Sequence, residues 1–180
     1  MARLGDFDRA RALLQKAARG FGPNEPMARA RCVVAEAEIA LVTRELGWPT
    51  KALASARSTL EKHGDRANAA YARHLQVRRL LLIGRLDEAE RGLARLDPAP
   101  LPPASRATYA LAAAGVALRR LRTKDARAAL DRAARAARQA GIPALTAEVE
   151  GAMRMLDAPA ARLLAHGKER LLKLAEVETL

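Results

Sequence analysis

A six-residue phrase recurs along the chain and limits what the chain can fold into. Gly5-Asp6-Phe7-Asp8-Arg9-Ala10 returns as Gly47-Trp48-Pro49-Thr50-Lys51-Ala52 and as Gly84-Arg85-Leu86-Asp87-Glu88-Ala89, with weaker copies at Leu121 to Ala126 and Leu156 to Ala161. The starts at 5, 47, 84, 121 and 156 set a period of about 37 residues, which lies in the range of stacked helical hairpins. Each copy closes one apolar helical stretch and opens another, so every unit has to bury its apolar face on a neighbour. The expected fold is all-α: a right-handed superhelical array of four to five helical hairpins that occupies residues 1–180 as one quasi-linear domain. Arrays of this kind bind, and seldom catalyse.

Composition agrees with helices that approach closely. Half of the residues are apolar but only 3% are aromatic, and the abundant alanine favours helix and packs through small side chains. The 32 Lys and Arg against 20 Asp and Glu give a formal charge of +12, which raises affinity for nucleic acid and acidic surfaces. Acidic residues are interspersed among the basic ones, so a solvated arginine-rich surface explains the same count. Cys32 is the single cysteine. It excludes an internal disulfide, points to a reducing compartment, and reads as a small core residue in Cys32-Val33-Val34. No apolar run reaches membrane-spanning length and Met1 to Asp6 carries no signal-peptide core, so the expected location is cytoplasmic, with no membrane partner.

Apolar spacing predicts the helices. Val33, Val34, Ala37, Ile39, Ala40, Leu41 and Leu46 share a broad face of a helix over 26–46 that Gly47 stops. Trp48 and Pro49 suit the turn and the first positions of the next helix, which runs to Lys62. His63-Gly64-Asp65 ends it, with a glycine C-terminal cap and an aspartate N-cap for the helix after it. Further hairpins are expected over 66–83 with 85–96, 104–121 with 124–139, and 143–155 with 158–166, and a last amphipathic helix from Lys168 to Leu180 runs through Leu171, Leu172, Leu174 and Val177. The prolines of Asp97 to Pro103 form a stiff loop inside the array. Helix 6–19 has no preceding partner and the chain stops at Glu178-Thr179-Leu180 without a polar capping helix. The chain therefore reads as part of a longer protein, with ends suited to self-association as a homo-oligomer.

The first copy of the phrase continues through Leu14 and Ala17, and the third presents Gly84, Leu86, Ala89, Leu93 and Leu96 at the same offsets. The fourth keeps Ala126, Leu130 and Ala133, with Leu121 where glycine belongs. This pattern resembles the second half of the tetratricopeptide repeat, in which a Gly-Asp-aromatic turn is followed by small and large apolar residues. The longer period and the missing first-helix aromatic resemble the divergent arrays of bacterial signalling and transcription regulators, such as the maltose-regulator type. The resemblance implies a ligand groove on the inner side of the superhelix. At its positions stand Arg44, Tyr71, His74, Arg78, Thr108, Leu111, Arg119, Glu150 and Arg154, a mixed basic and apolar set suited to an acidic or amphipathic peptide segment or a small anion. The Lys/Asn clamp for a terminal carboxylate is missing, since Ala37 and Leu41 occupy those places. The implied role is a protein-interaction or effector-sensing module of a regulator whose DNA-binding domain lies outside this chain, with a stand-alone scaffold as the alternative.

No catalytic or metal-binding pattern is expected. His63, His74 and His166 are far apart, no cysteine pair exists, and Gly20-Phe21-Gly22-Pro23 lacks the lysine and strand of a phosphate loop. Asp87-Glu88 stands at a helix start, where carboxylates complement the helix dipole. The chain reads as no enzyme and as needing no cofactor. Its densest basic stretch runs from Arg119 to Arg138, and Arg127, Arg135 and Arg138 lie at near-helical offsets as candidate nucleic-acid contacts. Asp125 and Asp131 interrupt that stripe, and no aromatic interleaves in sequence for base stacking.

Overall fold

Residues of left-handed backbone punctuate the described chain: Arg44 (φ 61°), Gly64 (φ 78°), Gly84 (φ 78°), Leu121 (φ 55°) and Gly141 (φ 64°). After the first four, the next amide reaches back to a carbonyl of the closing helix. Glu45 N donates to Ala40 O at 2.8 Å, and Asp65 N, Arg85 N and Arg122 N donate to Leu60 O, Leu80 O and Ala117 O at 2.9 Å each. This is the Schellman arrangement, which satisfies helix-end carbonyls only if the residue between turns left-handed. The turn thus forms even where arginine or leucine stands in place of glycine. The expected stop at Gly47 is corrected accordingly: the preceding helix ends at Val42 and the left-handed residue is Arg44.

These turns were identified in a computed structural model that describes residues 6–22, 24–99, 101–165 and 168–180. Gly5 of the first phrase, Pro100 of the proline run and His166 lie outside the described residues. The chain divides into two compact units, Met1–Leu96 and Asp97–Leu180, and the proline run opens the second.

The first unit holds α1 (Phe7–Gly20), α2 (Pro26–Val42), α3 (Thr50–Lys62), α4 (Arg66–Leu82) and α5 (Leu86–Ala94). Asp6 and Asp65 cap α1 and α4, their carboxylates accepting from Arg9 N and Asn68 N at 3.2 Å. Each helix touches the next, and α2 also touches α4. The contact face follows helical spacing: Val34, Ala37 and Leu41 of α2, Leu53, Ala56 and Leu60 of α3, and Ala69, Ala72 and Leu75 of α4 are all buried. Cys32 is buried as expected, and burial pushes its thiol pKa up, with Glu36 adding to the shift.

The second unit holds α6 (Pro103–Arg119), α7 (Thr123–Ala140) and α8 (Pro143–Asp157), then β1 (Pro159–Ala165), β2 (Lys168–Lys173) and α9 (Leu174–Val177). Helices α6, α7 and α8 touch one another in all three pairings. Their shared core is mostly alanine, with Leu130, Leu145, Val149 and Leu156 as its large members.

Among the described residues the helix expected over 158–166 is replaced by β1, and of the helix expected over 168–180 only the short α9 forms, after β2; β1 and β2 pair antiparallel, in register from Ala161↔Leu172 to Ala165↔Lys168. Ala158 leaves α8 in extended geometry (ψ 155°) ahead of Pro159, which disfavours helix in its predecessor. The spacing of Leu171, Leu172, Leu174 and Val177 misled because adjacent leucines also suit a strand, one facing each way. Leu172 is buried and Leu171 exposed. Among the described residues the fifth phrase copy therefore opens no helical hairpin, and α8 is followed by β1 rather than by a partner helix in the way that α7 follows α6.

Candidate functional site

Three of the expected groove residues share α4: Tyr71, His74 and Arg78. Their rings and charges do not form an open groove. His74 is 6% exposed, and neither ring nitrogen has a hydrogen-bond partner. Its ring stacks on Tyr71 with centroids 6.1 Å apart and planes 22° from parallel. Burial, and secondarily the charge of Arg78, pulls the His74 pKa from 6.5 down to about 4, so the imidazole is neutral at ordinary pH. The structure thus assigns His74 to packing and leaves Arg78 exposed. Arg44 belongs to a turn and to no helix face.

Sequence reasoning missed the neighbouring anchor. Arg79 Nε donates to Leu46 O at 2.8 Å, and its guanidinium lies 5.8 Å from the Trp48 ring centroid, which fastens the 43–49 connection to α4.

In the second unit, the partly buried Leu111 packs against both alanine cores. Thr108 is half-buried and its hydroxyl donates to Ser105 O at 3.0 Å, while the exposed Arg119 folds back on Gly115 O at 3.0 Å. Arg154 is exposed on α8. Glu150 lines a cleft of 380 Å³ with Arg135, Arg138 and Asp131. Of the nine expected groove residues, Arg44 lies in a turn, His74 is buried, Leu111 packs on the core, and Arg78, Arg119 and Arg154 are exposed.

The basic clefts differ in how well their charge is balanced. A cleft of 710 Å³ at the start of α7 sets Lys124, Arg127 and Lys173 against Asp131, Asp157 and Glu178. Arg127 Nη2 lies 2.6 Å from Asp157 Oδ1, and the Glu178 carboxylate accepts from Thr123 N at 2.9 Å and from the Thr123 hydroxyl, closing the helix N-terminus. In the first unit, a cleft of 330 Å³ holds Arg57, Arg73, Arg91 and Arg95. There Glu61 approaches Arg57 and Arg73 at 3.6 and 3.5 Å, and Arg73 also donates to Arg95 O.

Between α6 and α7 the balance fails. A cleft of 300 Å³ is lined by Arg106, Tyr109, Arg132, Arg135 and Gln139, with Pro98 at its edge and no carboxylate in its wall. Arg106 Nη2 donates to Gln139 Oε1 at 2.8 Å across the two helices. Among the described residues, neither Arg132 nor Arg135 makes an ion pair within 4 Å. Tyr109 is half-buried, and burial raises its phenol pKa against the opposing charge of Arg132. Helical spacing produces this set: Arg106 and Tyr109 are one turn apart on α6, as are Arg132 and Arg135 on α7. Of the expected nucleic-acid contacts, Arg135 lines this cleft and also the adjoining one, in which it and Arg138 stand with Asp131 and Glu150, and Arg127 is tied to Asp157. Among the described residues no group of three or more His, Cys, Asp and Glu could hold a metal, and no helix is long and apolar enough to cross a membrane.

Comparison of the chain with protein-family models, curated proteins and solved structures found no match.

Proposed function

We propose that the chain is a tetratricopeptide-like, superhelical binding module. It takes up a protein, a peptide segment or an effector on preformed helix surfaces, and serves as the sensing arm of a cytoplasmic bacterial transcription regulator that contacts DNA through another domain. The observation that carries this reading is the recurrence of a left-handed helix stop, at 44, 64 and 84 and again at 121 and 141, the first four sharing one Schellman turn. Within each unit these stops are 20 residues apart, a spacing that suits hairpins packed side by side, and helix contacts to both the next and the next-but-one neighbour support the same reading. Such modules act by shape and surface charge and need no reacting group, in keeping with the expectation that the chain is no enzyme.

Direct nucleic-acid binding through Arg127, Arg135 and Arg138 is weighed down by the Arg127–Asp157 bond and by Asp131, which stands one turn from both Arg127 and Arg135. The module reading is tested by translating the coding DNA on both sides of this sequence in frame. Further helical hairpins upstream and a helix-turn-helix or winged-helix pattern downstream are expected. Stop codons at both ends would replace the regulator context with a stand-alone scaffold.

A further inference from the structure

We propose that the α6–α7 cleft is a binding site for the phosphate monoester of a small molecule, gripped by Arg106, Arg132 and Arg135. The proposal deepens the effector-sensing reading and rests on it for biological context, but the chemistry stands on the cleft alone. Of the basic clefts, this one has no carboxylate in its lining, whereas Glu61 and Glu88 serve the 330 Å³ cleft and three acids match three cations in the 710 Å³ one.

Charge selects the ligand class. Three guanidiniums line the cleft and no carboxylate does; Asp97 lies near Tyr109, and Asp131 and Glu150 share the adjoining cleft with Arg135 without an ion pair to it, which leaves an excess of positive charge in the cleft wall itself. A phosphate monoester carries about −1.5 to −2 at pH 7, so it neutralises that excess where a carboxylate or a phosphodiester supplies a single charge. Guanidinium forks match phosphate oxygens bidentately. The bond to Gln139 fixes Arg106 at one edge and leaves the rest of its five N–H donors for the ligand. The 300 Å³ volume is at the small end of ligand sites, and the half-buried Tyr109 offers an aromatic wall for the organic part of the ester.

The test is calorimetric titration of the full chain with phenyl phosphate at pH 7.5. One saturable site per chain is expected. The double variant R132Q/R135Q should weaken it about tenfold or more, because each loses charge-assisted bonds. Both arginines are exposed, so far-UV circular dichroism and Tm should not move. R127Q and R138Q should bind as the parent does. Affinity should fall as pH drops below about 6, where the ester takes up a proton. Binding of benzoate as tightly as phenyl phosphate would overturn the dianion argument. A phosphoserine peptide or a single-stranded oligonucleotide that binds while phenyl phosphate does not would overturn the small-molecule source. Absence of saturable binding in the millimolar range, or an equal loss in R127Q, would overturn the site. A protein partner that binds normally to R132Q/R135Q would leave the module reading intact, so the two readings fail separately.

Discussion

Lowering the pH from 7 to 5 should destabilise the first unit, and His74 should be the cause. Its ring is 6% exposed, both nitrogens lack partners, and its pKa falls from 6.5 to about 4 through burial, with Arg78 one turn away adding to the shift. Because the folded pKa is the lower one, the unfolded chain takes the proton first. Stability is therefore intact above about 6.5 and drains away as pH falls toward 4. At about 1.4 kcal/mol per pKa unit the whole loss is on the order of 3 kcal/mol, with about 2 kcal/mol gone by pH 5. Carboxylates whose pKa is lowered by their partners, such as Asp65 beside Asn68 and Arg31, weaken the fold only at more acid pH. Trp48 is the sole tryptophan and belongs to this unit, so its fluorescence during urea unfolding reports the right transition at pH 7, 6 and 5. His74→Phe removes the titration and the orphaned nitrogens, and its stability should be nearly flat over that range. If the parent and the variant lose stability in parallel, His74 is not the titrating group, and a flat parent would show that the imidazole is not held neutral in the core.

Other perturbations test the packing. Alanine at Gly92 would set a Cβ 2.8 Å from Cγ2 of Val77, a stiff and 2% exposed side chain; overpacking of about 1–3 kcal/mol should outweigh the helix gain of about 1 kcal/mol. In a Val77→Ala background the same change should stabilise, and a denaturant double-mutant cycle without coupling would dismiss the close approach. Gly84→Ala meets open space but must hold φ +78°, so a loss of about 1–2 kcal/mol is expected from the backbone alone, whereas Gly22→Ala, with open space and no positive φ, should leave Tm unchanged. Leu130→Ala removes a 1% exposed core side chain and should cost about 2–5 kcal/mol in thermal unfolding, while Arg127→Gln, whose partner Asp157 is also more than half exposed, should change stability by less than about 1 kcal/mol.

The helices were legible where local chemistry and global packing agree. Gly64 and Gly84 end helices in the conformation glycine favours, and Asp65 caps α4 as its side chain predicts. Arg44 and Leu121 show what local propensity hides, since there the Schellman bonds of Glu45 and Arg122 impose a left-handed residue that the side chain disfavours. His74 was misplaced because α4 is packed by both α3 and α5 and touches α2 as well. Residues one turn apart on such a helix do not share an exposure. The α6–α7 cleft was missed because its basic residues come from two helices, and Tyr109 stands beside Arg132 only once those helices pair.

Arginine number alone is a poor guide to ligand affinity in this protein because the aromatics are few and alanine makes up half of the buried apolar residues described. Alanine lets backbones approach but covers little area, and long arginine stems fill the resulting gaps while keeping their charge in water. Arg79 over Trp48, Arg73 reaching Arg95 O and Arg119 folded on Gly115 O serve the fold in this way. Glu61, Asp157 and Glu45 hold others in place, on Arg73, Arg127 and Arg11. A charge that is already bonded must break that bond before it can grip a ligand, so the formal +12 overstates what an anion would meet. Arg132 and Arg135 carry no such bond in the described structure, and Arg106 is held through a neutral amide that leaves its charge uncancelled. Arg91 and Arg138 also lack an ion pair within 4 Å among the described residues, but their clefts are lined by Glu88 and by Asp131 and Glu150, so it is the α6–α7 cleft in which unbonded guanidiniums meet no carboxylate wall.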